Sequence, residues 1–129
     1  MANPVLLCTD GSEPSVAAIE QGYNLLPDSA AFEIVMVVEG PHPADLYGSG
    51  HAGPIMTEEE FTAEREAAEA RAEQAMAVQA ERLGLTAAPR RMLDGDPGQA
   101  ICAYAGEVDA SAIVMGSRGR GGLKRAVLG

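Results

Sequence analysis

The sequence predicts an α/β protein, an open parallel sheet with helices on both faces. Four apolar runs, at residues 3–9, 31–38, 86–93 and 112–115, alternate with stretches that carry helix-start chemistry. The order β-α-β-α-β-α-β, followed by the start of another helix, specifies parallel strands. With 129 residues, 47% hydrophobic content and no internal repeat, residues 1–129 suit a single domain with a real core.

Residues 3–9, Asn-Pro-Val-Leu-Leu-Cys-Thr, form a short strand buried on both faces, as in a parallel sheet. The turn Asp10-Gly11-Ser12 follows, with Ser12 as N-cap and Pro14 in the first helical turn. A helix over about 13–25 then presents Val16, Ile19, Tyr23 and Leu26 near one face. Asp10 stands at the carboxyl end of the first strand. Open α/β sheets bind ligands there, where the strand order reverses. A carboxylate in that position repels phosphate but accepts hydrogen bonds from ribose hydroxyls or an adenine amino group. Asp10 taken alone reads equally well as a cap or turn former.

Residues 31–38 are the clearest strand. Residues 39–54, rich in Gly and Pro, read as a long loop of the kind that serves as a lid, a binding loop or a disordered segment. His42 and His51 lie in it, at a spacing that resembles no metal site. Thr57 followed by Glu58, Glu59 and Glu60 starts the longest helix, which runs to Leu83 and is closed by Gly84. Its acids read as a solvated face. Residues 86–93 form a weaker strand, and Pro89 assigns it to an edge. Asp96 at the N-cap and Pro97 at the first helical position open a helix over 99–107 that buries Ile101, Cys102 and Val108. Asp94 beside Asp96 suggests a hard cation, but capping explains Asp96 without one. Cys8 and Cys102 are too few for a disulfide scaffold and read as small buried apolar residues.

The last stretch carries the chemistry. Residues 112–115 form a buried strand that breaks at Gly116 into a turn holding Gly119, Gly121 and Gly122. Of the nine Lys and Arg residues, Arg118, Arg120, Lys124 and Arg125 fall here, and no Asp or Glu follows Asp109. In a chain of net charge −10 this local reversal of sign points to an anion, with phosphate as the natural guest. A helix beginning near Leu123 adds its partial positive charge. The acidic balance argues against nucleic acid as a partner. The absence of a long apolar span and of a signal-peptide pattern predicts a cytoplasmic protein without membrane attachment.

Neither a Walker loop nor the dinucleotide pattern Gly-x-Gly-x-x-Gly fits the turn. The spacing Gly116-x2-Gly119-x9-Gly129 does resemble the Gly-x2-Gly-x9-Gly-Ser/Thr signature of the universal stress protein family. The resemblance extends to residues 5–15 with their Asp-Gly-Ser turn, to Leu93-Asp-Gly-Asp-Pro-Gly-Gln-Ala-Ile101, and to Ile113-Val-Met-Gly-Ser-Arg-Gly119. It implies a Rossmann-like fold whose fifth strand lies outside the 129 residues. It also implies that Asp10 contacts the adenosine part of ATP or AMP, bound with or without magnesium. The backbone around Thr9, Val38 and Met115 would form the adenine pocket, and Gly116, Arg118, Gly119 and Gly129 would cradle the phosphates. The family commonly dimerises through the fifth strand, which implies a homodimer.

The functional expectation is an adenine-nucleotide-binding stress-response protein that acts as a sensor or regulatory module. A slow ATP hydrolase and a ligand-free interaction protein of the same fold are the alternatives. No base or metal-binding carboxylate occurs between Gly116 and Gly129, which argues against a dedicated enzyme. The intact glycines argue against the ligand-free class. A receiver domain needs an acidic cluster that Asp10 alone does not supply, and a flavin carrier needs its phosphate loop where Asp10 and Glu13 stand.

Overall fold

A computed structural model describes residues 3–27, 30–38 and 56–116. The elements, in order, are β1 (Val5–Cys8), α1 (Glu13–Asn24), β2 (Phe32–Val37), α2 (Glu58–Leu83), β3 (Arg90–Leu93), α3 (Pro97–Val108) and β4 (Ala112–Met115). The strands pair in parallel in the order β3-β2-β1-β4. This is the open parallel α/β sheet expected from the alternation.

β1 lies inside the sheet and is buried along its whole length. Because successive side chains point to opposite faces, Val5 and Leu7 join Ile34, Met36, Ile19 and Met76 in one core layer. Leu6 and Cys8 join Val35, Val37, Ile101 and Tyr104 in the other. Helices α1 and α2 thus cover one face and α3 the other. A strand covered on both sides has no polar alternation, which is why β1 reads as an unbroken apolar run.

The helix boundaries follow the capping chemistry. Ser12 caps α1 by accepting from the Ser15 N–H. Thr57 and Glu60 form a reciprocal capping box at α2, which ends at Gly84 in the left-handed conformation, φ 70°. Asp96 caps α3 through the Gln99 N–H at 3.0 Å.

Three expectations need correction. The third strand begins only at Arg90, since residues 86–88 form a turn closed by the Ala88 N–H on the Leu85 carbonyl, 3.0 Å. Pro89 has no N–H to give the ladder, but its carbonyl accepts from Ile34 at 3.0 Å, and the strand is an edge as predicted. Cys102 is exposed rather than buried, and Val108 is only half-buried. Tyr104 instead shares the buried stripe with Ile101, three residues along the helix, while position 102 is turned off that stripe. Finally, β4 is the other sheet edge among the described residues, and Ile113 keeps 40% of its surface exposed.

Gln79 on α2 is fully buried with neither side-chain amide atom hydrogen-bonded, a desolvation cost that no described contact offsets. On the other face of the sheet polar groups are paired. The Tyr104 hydroxyl donates to the Glu33 carboxylate, and the Arg91 guanidinium lies 5.2 Å from the centre of the Tyr104 ring.

Two predictions follow from this packing. A Cβ on Gly22 would fall 2.6 Å from Val114 Cγ1, so α1 sits on β4 only because position 22 has no side chain. Gly22→Ala gains about 1 kcal/mol of helix propensity. It loses about 1–3 kcal/mol to overpacking against a β-branched neighbour that has no free rotation to yield. The expected net result is a loss of stability in urea unfolding, and the sign reverses in a Val114→Ala background, where the added methyl finds room.

The second concerns alkaline pH. Burial, reinforced by the bond to Glu33, raises the Tyr104 hydroxyl from 10.0 to about 12. Burial, then the neighbouring Cys102 and Glu33, raises the Cys8 thiol from 9.0 to about 12. Both groups hold their protons more tightly when folded. Their contribution is complete below the unfolded values and is lost as pH rises through the folded ones, over the window from pH 9 to about 12. Unfolding free energy measured across that window should fall, with a shallower slope in Tyr104→Phe and in Cys8→Ala. An unchanged slope in both variants contradicts the assignment.

Candidate functional site

The strand order creates the site. The chain steps from β1 to β2 to β3 in one direction, then crosses back to set β4 on the other side of β1. In open α/β sheets such a reversal is where ligands bind, outside the carboxyl ends of the two strands that flank it, here β1 and β4. Cys8 pairs with Met115 as the last register pair, so Thr9-Asp10 and Gly116 leave the sheet side by side.

The β1 exit is held tightly. The Thr9 N–H donates to the Val35 carbonyl at 3.0 Å, and Thr9 Oγ1 accepts from the Gly11 N–H at 3.1 Å. The Asp10 carboxylate is buried, and its Oδ1 accepts from the Ser12 N–H at 2.9 Å and the Ser12 hydroxyl at 2.6 Å. The Asp10 N–H donates to Ser15 Oγ at 3.3 Å, and the Ser15 N–H donates to Ser12 Oγ at 3.3 Å. Gly11 turns the chain at φ +83°. Asp10 is therefore the turn former, Ser12 is the helix cap, and the carboxylate is held beside the positive end of the α1 dipole.

Of the other expected residues, Val38 is buried one strand away, after β2, with its N–H on the Leu93 carbonyl at 2.8 Å. Met115 is half-buried at the end of β4, and Gly116 is buried. The sheet thus brings Thr9, Asp10, Met115 and Gly116 together at the carboxyl ends of adjacent strands and leaves Val38 on the far side of β1. Arg118, Gly119, Gly129 and the remaining basic turn lie outside the described residues, as do His42, His51 and the helix expected near Leu123.

Sequence reasoning missed the side-chain bond between Ser12 and Asp10 and the part played by Ser15. The signal was the spacing Asp-Gly-Ser-x-x-Ser, which puts two hydroxyls within one helical turn of the carboxylate. Asp94 is engaged by a side chain of α2. Its carboxylate pairs with Arg65, which also holds Glu69 at 3.1 Å, while Asp96 caps α3. Among the described residues there is no group of three or more His, Cys, Asp or Glu able to hold a metal, and no helix long and apolar enough to cross a membrane. The adjoining ends of β1 and β4 offer a buried acceptor and backbone groups, the equipment for binding a ligand that donates hydrogen bonds.

The sequence profile of the Universal stress protein family matches residues 1–129. The chain belongs to that family. No curated protein sequence matches it at a significant level. Among solved structures it is similar to a universal stress protein in complex with cAMP, at 26% identity and a TM-score of 0.57, over 89% of this chain and 76% of that one. It is also similar to protein Rv1636 from Mycobacterium tuberculosis H37Rv, at 21% identity and a TM-score of 0.53, over 100% of this chain and 83% of that one. A family protein from Arabidopsis thaliana with AMP bound aligns at 16% identity and a TM-score of 0.54, over 96% and 86% of the two chains. The last two likenesses speak to the fold.

Gly11 is the sensitive point of this universal stress protein's β1–α1 turn. Besides its positive φ, a Cβ there would lie 3.3 Å from Ala75 Cβ on α2. Gly11→Ala should lower stability by about 1–2 kcal/mol, the cost of a left-handed alanine. Gly95→Ala, at φ +103° with open space around it, carries backbone strain without a helix contact and serves as the comparison in thermal unfolding.

Proposed function

We propose that the protein binds an adenine nucleotide, ATP or AMP, in the β1/β4 crevice and works as a sensor or regulatory module of the stress response rather than as a dedicated enzyme. The observation that carries this reading is the buried Asp10 carboxylate at the strand-order reversal, beside Gly116 at the end of the neighbouring strand. The donor chemistry fits adenosine, because a fixed carboxylate accepts from ribose hydroxyls and disfavours a phosphate at the same spot. The family membership and the cAMP-bound neighbour at 26% identity support the class of ligand.

In this reading Asp10 meets the adenosine part, and backbone around Thr9, Val38 and Met115 lines the adenine pocket. Gly116, Arg118, Gly119 and Gly129 receive the phosphates, with or without magnesium. The 129 residues act as a single nucleotide-binding domain. In the same reading the protein is cytoplasmic. Assembly as a homodimer is supported by the sheet edge that β4 forms among the described residues, with Ile113 40% exposed.

Calorimetric titration of ATP, AMP and cAMP into the protein tests the reading. Micromolar binding of at least one of them, weakened tenfold or more in both Asp10→Ala and Gly119→Ala, is the expected result. Absence of heat with all three sinks it. Binding that survives both substitutions moves the nucleotide elsewhere on the molecule.

A further inference from the structure

Ser12 does more at Asp10 than cap α1. Its N–H and its hydroxyl both reach the same carboxylate oxygen, Oδ1, at 2.9 and 2.6 Å. A serine hydroxyl has one proton, and here it is given to Asp10, while the hydroxyl's lone pairs accept from the Ser15 N–H at 3.3 Å. Ser15 Oγ in turn accepts from the Asp10 N–H at 3.3 Å, which closes a ring of three residues around the carboxylate. Asp10 is 7% exposed and Ser15 is 1% exposed, so water does not readily replace these bonds.

The 2.6 Å contact is a charge-assisted hydrogen bond, the strong kind, and turning the carboxylate away would break it together with the bond from the Ser12 N–H. Oδ1 is thereby committed and the plane of the group is set before any ligand arrives. An acceptor already held in its binding orientation loses little side-chain entropy on association. We infer that Ser12 is a positioning residue for the nucleotide site: without touching the ligand, its hydroxyl fixes the Asp10 carboxylate so that the site discriminates for ribose hydroxyls. The inference rests on the adenine-nucleotide reading above and adds to it the residue that governs sugar selectivity.

A purely capping role for Ser12 would weaken every ligand alike. The decisive readout is therefore the ratio of Kd for 2′,3′-dideoxy-ATP to Kd for ATP, which cancels shared effects on folding and on phosphate binding. The ratio is measured by calorimetry for the unaltered protein, Asp10→Ala, Ser12→Ala, Ser12→Gly and Ser12→Thr. Glycine is included because it also lacks the hydroxyl but costs an N-cap only slightly. The unaltered protein should prefer ATP. The ratio should drop by roughly fivefold in Ser12→Ala and Ser12→Gly, the size of one net hydrogen bond. Ser12→Thr should restore it, and Asp10→Ala should bring it close to one. An unchanged ratio in Ser12→Ala and Ser12→Gly overturns the inference, however far the two affinities fall together. Equal binding of both nucleotides by the unaltered protein also overturns it, while leaving the adenine-nucleotide reading standing. Binding of neither nucleotide overturns both.

Discussion

The structure depends on β1 being covered on every side. Four residues, Val5 to Cys8, are hydrogen-bonded to β2 along one edge and β4 along the other, and helices lie over both faces. Such a strand has no solvent-facing position, so each of its side chains must be apolar and each of its backbone groups must be paired. The strand-order reversal is a consequence of this placement. With β2 and β3 on one side of β1 and β4 on the other, the crossover from β3 runs back in the opposite direction, and right-handed connection sends α3 to the face opposite α1 and α2. The adjacency of Asp10 and Gly116 at the strand ends follows from that geometry.

Close packing around this strand leaves small tolerances. α1 lies against β4 at a glycine, and the turn after β1 passes α2 at another glycine facing an alanine. The alanines of α2 at 68, 72 and 80 have the same effect, letting a long and highly charged helix lie near the sheet. The buried amide of Gln79 is the exception to an otherwise apolar contact surface, and the structure offers no physical account of it. On the opposite face the polar groups are matched to each other, Tyr104 with Glu33 and Arg91, so α3 is fixed in orientation as well as buried.

The charge distribution separates two kinds of work. Arg65, Arg82 and Arg90 are engaged with carboxylates of α1, α2 and the β3–α3 turn, where half-exposed pairs add little stability and serve mainly to orient helices. Four of the remaining cations follow Gly116 in a segment without acids. In a chain of net charge −10 this division concentrates the positive charge of the sequence in the stretch that follows β4.

The sequence by itself determined the parallel α/β class, the three helix starts at Ser12, Thr57 and Asp96, the stop at Gly84 and the edge position of the strand holding Pro89. These are set within a few residues, by capping hydrogen bonds, by the left-handed freedom of glycine and by the N–H that proline lacks. The family was legible as well, since its glycine spacing and Asp-Gly-Ser turn are local patterns. Other features belonged to the tertiary structure. Whether Cys102 or Tyr104 faces the sheet depends on the rotation of α3 over β1 and β2, and the exposure of Ile113 depends on how far that helix extends across the sheet. That Asp10 and Gly116, more than a hundred residues apart in sequence, leave the sheet side by side was decided by strand order alone. The hold of Ser12 on Asp10 was likewise decided there, because burial turns an ordinary turn hydrogen bond into a fixed orientation of charge.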